Sequence, residues 1–360
     1  MTRIHNCHTH VFTRRNVPLH FVPVLGPVMM TFGWTRAAAR LLNRLIPFRQ
    51  NDVLDRYASL LRFGDLETQA QVFEALRRSY PPDTRFLLLS MDMERMGAGR
   101  VQQPFLCQLK ELARLKARYP DHVYPFVFAH PERPGIFDIV KWCIEKHGFT
   151  GIKLYPPLGY YPFDERLRLI YAYAQERKIP VLTHCSGGPV YYRGPLTEAM
   201  RVHPLTRQRV AGGTRGARMK TLADPDNYRY VLDEFPELVL CLAHFGGADE
   251  WEAFLTKPWN PDEPEKKSWF AKILDWLREG KYPNLYADIA YTAFRPEFYS
   301  LLKLVLLHPQ ARERVLFGTD FYMVAREASE RGFGVGLRAY LGEADFIEIA
   351  QTNPMRFLSL

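Results

Sequence analysis

Two histidines one residue apart open the chemistry of this chain. Near its start the sequence reads Asn6-Cys7-His8-Thr9-His10. In a strand, side chains two residues apart share a face, so His8 and His10 can address one metal ion. A single His-x-His also occurs among packed and surface histidines, so the weight falls on what ends the other apolar runs. Val181-Leu182-Thr183 leads to His184, Leu242-Ala243 to His244, Phe317-Gly318-Thr319 to Asp320, and Gly151-Ile152 to Lys153-Leu154-Tyr155. Burying an ionisable group at the end of an apolar strand is costly unless the group is paired or coordinated. Five runs ending this way are not explained by packing. If one fold gathers the ends, His8, His10, His184, His244, Asp320 and Lys153 form a metal-binding cluster suited to Zn²⁺, Mn²⁺ or Fe²⁺.

The elements that must position these groups are legible as an alternation. Short β-type runs occupy 3–10, 86–91, 123–130, 149–155, 180–184, 238–244, 285–291 and 314–320. Helical patterns occupy 104–119, 135–147, 164–177, 227–235, 269–280, 296–308 and 344–358. Eight strands alternating with helices favour an α/β fold of the (β/α)₈ TIM-barrel type over an open doubly wound sheet. A barrel also collects every strand's C-terminal end on one face, where the chemistry of such enzymes sits. The connections 11–85 and 186–236 are too long for simple crossovers and are expected to be lid insertions in a single domain, 1–360.

Composition excludes several classes. Of 360 residues, 47% are hydrophobic, 24% charged and 14% aromatic, enough for a large globular core and unlike a disordered, collagenous or coiled-coil chain. Five scattered cysteines without a C-x-x-C pair suggest neither a disulfide framework nor a zinc ribbon, which points to a reducing cytoplasm. Cys7 and Cys185, beside candidate ligands, are expected to face away from them as packed thiols. The apolar stretch 21–32 is interrupted by Pro23, Gly26 and Pro27 and is too short to span a bilayer, and the N-terminus shows no signal pattern. A soluble, cytoplasmic protein without stable membrane insertion is the expectation, and a homo-oligomer is compatible with it.

Lys and Arg number 48 against 39 Asp and Glu, a net charge of +9. Six of those units fall in 193–220, within the second long connection. Most charge runs are solvated faces; the functional alternative is that arginines there, Arg215 and Arg218 among them, close over the site and grip a substrate carboxylate. A basic amphipathic pattern over 34–46 reads as a lid helix packing its apolar face on the barrel rather than as a membrane contact. Ser90 has no nucleophile motif around it, and Asp92 or Glu94 could line the mouth.

These motifs resemble the amidohydrolase superfamily, in particular the branch of metal-dependent TIM-barrel hydrolases and nonoxidative decarboxylases known as amidohydrolase family 2. The resemblance runs from His8-Thr9-His10 to the closing Asn353-Pro354-Met355-Arg356-Phe357-Leu358. It implies that His8, His10, His184 and Asp320 are metal ligands. It also implies that His244 acts in acid–base chemistry or on the substrate, and that Lys153 stands where two-metal members carry a carbamylated bridging lysine. Asn6 departs from the pattern, since an acidic residue commonly precedes the first histidine. An ammonium beside a metal is repelled, so Lys153 needs carbamylation, a depressed pKa or an anionic substrate as partner. One ion, most readily zinc, is therefore the default, and two if Lys153 is carbamylated.

The expected reaction is metal-dependent hydrolysis of an amide, ester or lactone in a small, carboxylated molecule. The ion makes hydroxide available near neutral pH, Asp320 moves the proton to the leaving group, and the metal, with His244, polarises the carbonyl. The alternative on the same residues is nonoxidative decarboxylation of an aromatic or unsaturated acid. A remote third reading is a non-catalytic basic binder on a barrel scaffold. The ligand set on several strands and the local origin of the positive charge favour a small acidic substrate over nucleic acid.

Overall fold

A computed structural model describes residues 3–21, 66–188, 190–257, 259–263, 266–321, 323 and 329–360. The 34–46 pattern and most of the first long connection lie outside the described residues. Eight parallel strands follow in sequence order around one sheet. They are β1 His5–Thr9, β2 Arg85–Leu89, β3 Val123–Phe128, β4 Gly151–Leu154, β5 Val181–His184, β6 Leu240–Ala243, β7 Leu285–Asp288 and β8 Val315–Leu316. The seam between last and first strand is closed by backbone bonds: Cys7 N to Phe317 O at 2.8 Å, Asp320 N to His8 O at 2.8 Å and His10 N to Phe321 O at 3.0 Å. This is a TIM barrel, as the alternation of the sequence predicts.

Crossover helices surround it: α1 Gln69–Arg77, α2 Phe105–Arg118, α3 Ile136–His147, α4 Arg168–Glu176, α5 Arg215–Lys220, α6 Asp226–Glu234, α7 Ala248–Thr256, α8 Trp269–Glu279, α9 Tyr299–Leu306, α10 Pro309–Arg312 and α11 Glu330–Leu341. In α2 the buried Phe105, Leu109, Leu112 and Leu115 recur at helical spacing and face the barrel. Five helices lie outside the predicted set: α1, α5, α7, α10 and α11. Gly332, Gly334 and Gly336 speak against a helix over α11, each costing about 1 kcal/mol relative to alanine. Burial of Phe333, Leu337 and Leu341 one turn apart, and the Ser329 hydroxyl accepting from Gly332 N, outweigh them. No helix among the described residues is long and apolar enough to cross a membrane.

The barrel interior is filled by Cys7, Leu87, Leu89, Tyr124, Phe126, Leu182, Cys241, Ala243, Tyr286 and Leu316. Phe357, from the closing helix Asn353–Phe357, plugs its lower end, stacked on Phe126 and edge-on to Tyr286. Asn353 holds that helix in place by donating to Arg312 O and Val315 O at 2.7 and 2.8 Å. Cys7 therefore packs inside the barrel, beneath the histidines, and the register shift between Asn6 and Thr9 is where β1 turns His8 toward the upper cavity.

The seam is tight at one glycine. A Cβ on Gly318 would stand 2.8 Å from His8 Cβ and 3.1 Å from His8 N. Gly318→Ala should therefore lower unfolding free energy by about 1–3 kcal/mol, the usual cost of overpacking. Denaturant titration of both proteins checks this, and an unchanged midpoint would show that the seam is looser than these contacts require.

Candidate metal and active site

The candidate residues meet at the C-terminal mouth of the barrel. His8, His10, Lys153, His184, His244 and Asp320 all line one cavity of about 470 Å³, a size suited to a small molecule. Each comes from the end of a different strand, apart from the pair on β1. Two of them sit in left-handed backbone, His244 at φ +66° and Asp320 at φ +58°, a conformation that non-glycine residues avoid. After His244, Gly246 is forced: its φ is +89° and a Cβ would lie 2.8 Å from Phe270 N. The turn thereby brings the His244 ring to 4.8 Å from the ring of His8 and 4.7 Å from that of His184 instead of continuing the strand.

Hydrogen bonds decide which ring nitrogens can bind a cation. His8 Nδ1 lies 2.8 Å from Asp288 Oδ2, His10 Nδ1 3.0 Å from Leu89 O, and His244 Nδ1 2.8 Å from Ala290 O. All three partners only accept, so each Nδ1 carries the proton and each Nε2 keeps a lone pair. The Nε2 atoms of His8 and His10 stand 3.7 and 3.4 Å from Asp320 Oδ1. Those three ligand atoms lie within 4.8 Å of one another, a spacing that one ion could bridge.

A second trio, His8, His244 and Asp288, is equally compact but differs in chemistry. Asp288 spends Oδ2 on His8 Nδ1 and Oδ1 on the backbone N–H groups of His244 and Ala290, at 2.8 and 3.0 Å. It orients the ligand histidine rather than competing for the ion, the familiar arrangement behind metal-bound imidazoles. Among the described residues, then, His8, His10 and Asp320 are the donors that fit an ion best.

His184 arrives in the same cavity with its ring turned differently. Its Nδ1 donates to His244 Nε2 at 3.0 Å, its Nε2 accepts from Ser186 Oγ at 3.2 Å, and the ring stacks on Tyr155 at 4.0 Å. It belongs to neither compact trio.

Burial dominates the electrostatics. It lowers the pKa of His10 to about 3 and those of His8, His184 and His244 below the ordinary value, with Lys153 adding to each. All four rings are thus neutral at physiological pH, as ligands must be. Burial raises Asp320 and lowers Lys153, each against the pull of the other. Lys153 is 1% exposed, and its Nζ is buried without a hydrogen-bond partner.

Arg215 and Arg218 are not among the residues lining the cavity. Arg215 instead donates to Arg193 O at 2.5 Å and to Gly194 O, tying the connection to itself, and Arg218 donates to Gly212 O at 3.4 Å. From that basic segment only Lys220 reaches the wall, where Arg295 joins it. Asp92 and Glu94 are both claimed by Arg133, and Ser90 is bonded to the β3 backbone. The residue that sequence reasoning missed is Asp288. Its signal was an acid inside the apolar run Leu285-Tyr286-Ala287-Asp288-Ile289-Ala290, fully buried here.

A family model described as amidohydrolase matches residues 6–360. The chain belongs to amidohydrolase family 2. Comparison with curated proteins gave no significant sequence match. Among solved structures, 2,6-dihydroxybenzoate decarboxylase from Rhizobium is similar, at 17% identity and TM-score 0.55, over 100% of this chain and 99% of that one. So is 4-oxalomesaconate hydratase from Rhodopseudomonas palustris, at 16% identity and TM-score 0.53, over 99% and 95%. A probable 2-pyrone-4,6-dicarboxylic acid hydrolase from Acinetobacter baumannii is 10% identical with TM-score 0.55, over 100% of both chains. At these identities the likeness is one of fold, and the family member in hand has to be read from its own site.

Asparagine at 288 offers one acceptor where aspartate offers two. Asp288→Asn should leave either His8 Nδ1–H or the two backbone donors facing an amide N–H, and so free His8 to adopt the other tautomer. Zinc affinity of the metal-free protein is expected to fall about 10–100-fold by titration calorimetry. Unchanged affinity would mean that Asp288 does not orient the ligand.

Proposed function

We propose that this enzyme is a metal-dependent hydrolase of a small carboxylated substrate. The observation that carries the reading is the convergence of His8 Nε2, His10 Nε2 and Asp320 Oδ1 in one cavity, with both ring lone pairs turned toward the carboxylate. A divalent ion bound there, zinc first, supplies Lewis acidity and brings water toward ionisation at neutral pH. His184, which lines the same cavity, is the further ligand that would complete the set, and Asp288 holds His8.

Asp320 takes a proton from the attacking water and returns it to the leaving group. His244, neutral and with Nδ1 committed to Ala290 O, presents Nε2 as a base and shares protons with His184. Phe12, Met91, Met93, Tyr155, Tyr291 and Phe294 provide apolar walls for the body of the substrate. The Lys153 ammonium holds its carboxylate.

The second reading, nonoxidative decarboxylation, is favoured by Lys153 itself. A carboxylate drawn from water to a buried, unpartnered cation among apolar walls is desolvated, and as carbon dioxide departs the electron pair of the broken bond passes to the ring or alkene carbon, which takes a proton. Decarboxylases of aromatic acids, for 2,6-dihydroxybenzoate and 5-carboxyvanillate, share the fold.

Isotopes separate the two. A panel of carboxylated lactones, esters and amides and of aromatic and unsaturated acids is offered to the zinc-loaded protein in ¹⁸O-water and in deuterated water. Hydrolysis should place ¹⁸O in a product carboxylate, be lost on chelation, and fall about 10²–10⁴-fold in Asp320→Asn. Carbon dioxide release with deuterium on carbon would establish the second reading instead, and turnover indifferent to chelation would defeat both.

A further inference from the structure

Behind the cavity, the buried side chains of Asn6, Thr319 and Glu330 and the half-buried Tyr80 tie β1 to the chain that follows β8. Glu330, in the first turn of α11 and 5% exposed, places Oε1 at 2.7 Å from Tyr80 Oη and 2.6 Å from Thr319 Oγ1. Asn6 Nδ2 stands 2.9 Å from each of the same two hydroxyl oxygens, with a longer contact of 3.4 Å to Glu330 Oε1. Asn6 Oδ1 receives the backbone N–H of Thr319 at 3.1 Å and of His8 at 3.4 Å.

The direction of every bond follows from the acid. As a carboxylate, Glu330 accepts at Oε1 from the hydroxyls of both Tyr80 and Thr319. Both hydroxyls therefore point their hydrogens at Glu330 and turn lone pairs to Asn6. The two hydrogens of the Asn6 amide fill those lone pairs, which leaves Oδ1 facing the two backbone donors. Those donors belong to His8 and to Thr319, the residue before Asp320. Asp320 in turn donates from its backbone to His8 O at 2.8 Å while held at φ +58°.

We propose that Glu330 is a positioning residue for the candidate ligands His8 and Asp320, acting through Asn6 and Thr319. The proposal rests on the reading of those two residues as metal ligands. It also accounts for asparagine at position 6. A carboxylate there would meet hydroxyls whose hydrogens are already given to Glu330, and acceptor would face acceptor. Exchanging the two groups restores the pattern in reverse: with Asn6→Asp and Glu330→Gln together, the new amide donates to both hydroxyls, the new carboxylate accepts from both, and the backbone donors keep their acceptor.

Three variants of the full chain test this, Glu330→Gln, Asn6→Asp and the double exchange, with Zn²⁺ as the probe in titration calorimetry and thermal unfolding recorded on the metal-free proteins. Each single change should weaken zinc binding at least about tenfold, the scale for outer-sphere partners of metal ligands, and the double exchange should return it to within about threefold of the parent. A knot that served only to hold the fold would shift the unfolding midpoint and leave zinc affinity alone, and that result overturns the proposal. So does a double exchange no better than the weaker single variant, a comparison that stands even if Asn6→Asp alone does not fold. A parent chain that binds no zinc overturns the ligand reading and this inference together. A parent that binds zinc beside an unaffected Glu330→Gln overturns this inference alone.

Discussion

The site depends on the seam where the last strand meets the first. β8 is only two residues long as a regular strand, and the chain beyond it stays beside β1 through the Asp320 N to His8 O and His10 N to Phe321 O bonds. Those bonds close the barrel and in doing so set Asp320 against both histidines of the His-x-His pair. Gly318 is what lets the two backbones come so near. Closure of the fold and assembly of the candidate ligand set are thus one event, and a loss of register at the seam would damage both.

Concentrating ionisable groups at one buried mouth has a cost, and the structure meets it in two ways. The histidines are kept neutral by burial, with the protons pinned on Nδ1 by acceptors that cannot donate. The carboxylate of Asp288 is surrounded by three donors, so its charge is distributed into hydrogen bonds. Asp320 and Lys153 are each drawn by burial toward the neutral form, against the attraction between them and, for Lys153, that of Asp288 as well. A cation bound by the first and an anionic substrate bound by the second would supply what each lacks. The unpartnered Nζ of Lys153 is the part of this arrangement that speaks to substrate chemistry rather than to the fold.

Much of this was legible from residue types at strand ends. Period-two alternation put His8 and His10 together, and apolar runs terminating in His184, His244, Asp320 and Lys153 identified the other walls of one cavity. What could not be read was set by geometry that a linear pattern does not encode. Asp288 looked like part of an apolar strand because nothing in Leu285-Tyr286-Ala287 announces that a histidine from β1 will stand above it. Glu330 lay in a glycine-rich stretch whose helical state is decided by tertiary burial of Phe333 and Leu337. Arg215 and Arg218 stand out in the sequence by charge alone, and their guanidinium groups go to nearby backbone carbonyls instead. Net charge over a segment says where cations are numerous, not which of them reach a cavity; Lys220 does, from the end of that same segment.

In the proposed enzyme His8 and His10, through Nε2, and Asp320 bind one catalytic ion. Diffraction from crystals of the zinc-loaded protein, with anomalous data collected on both sides of the zinc edge, tests it most directly. The expected result is a single strong anomalous peak at zinc-ligand distance, about 2.0–2.2 Å, from His8 Nε2, His10 Nε2 and an Asp320 oxygen, with His8 Nδ1 still bonded to Asp288. A peak centred elsewhere, or an ion that leaves the two β1 histidines uncoordinated, would contradict it.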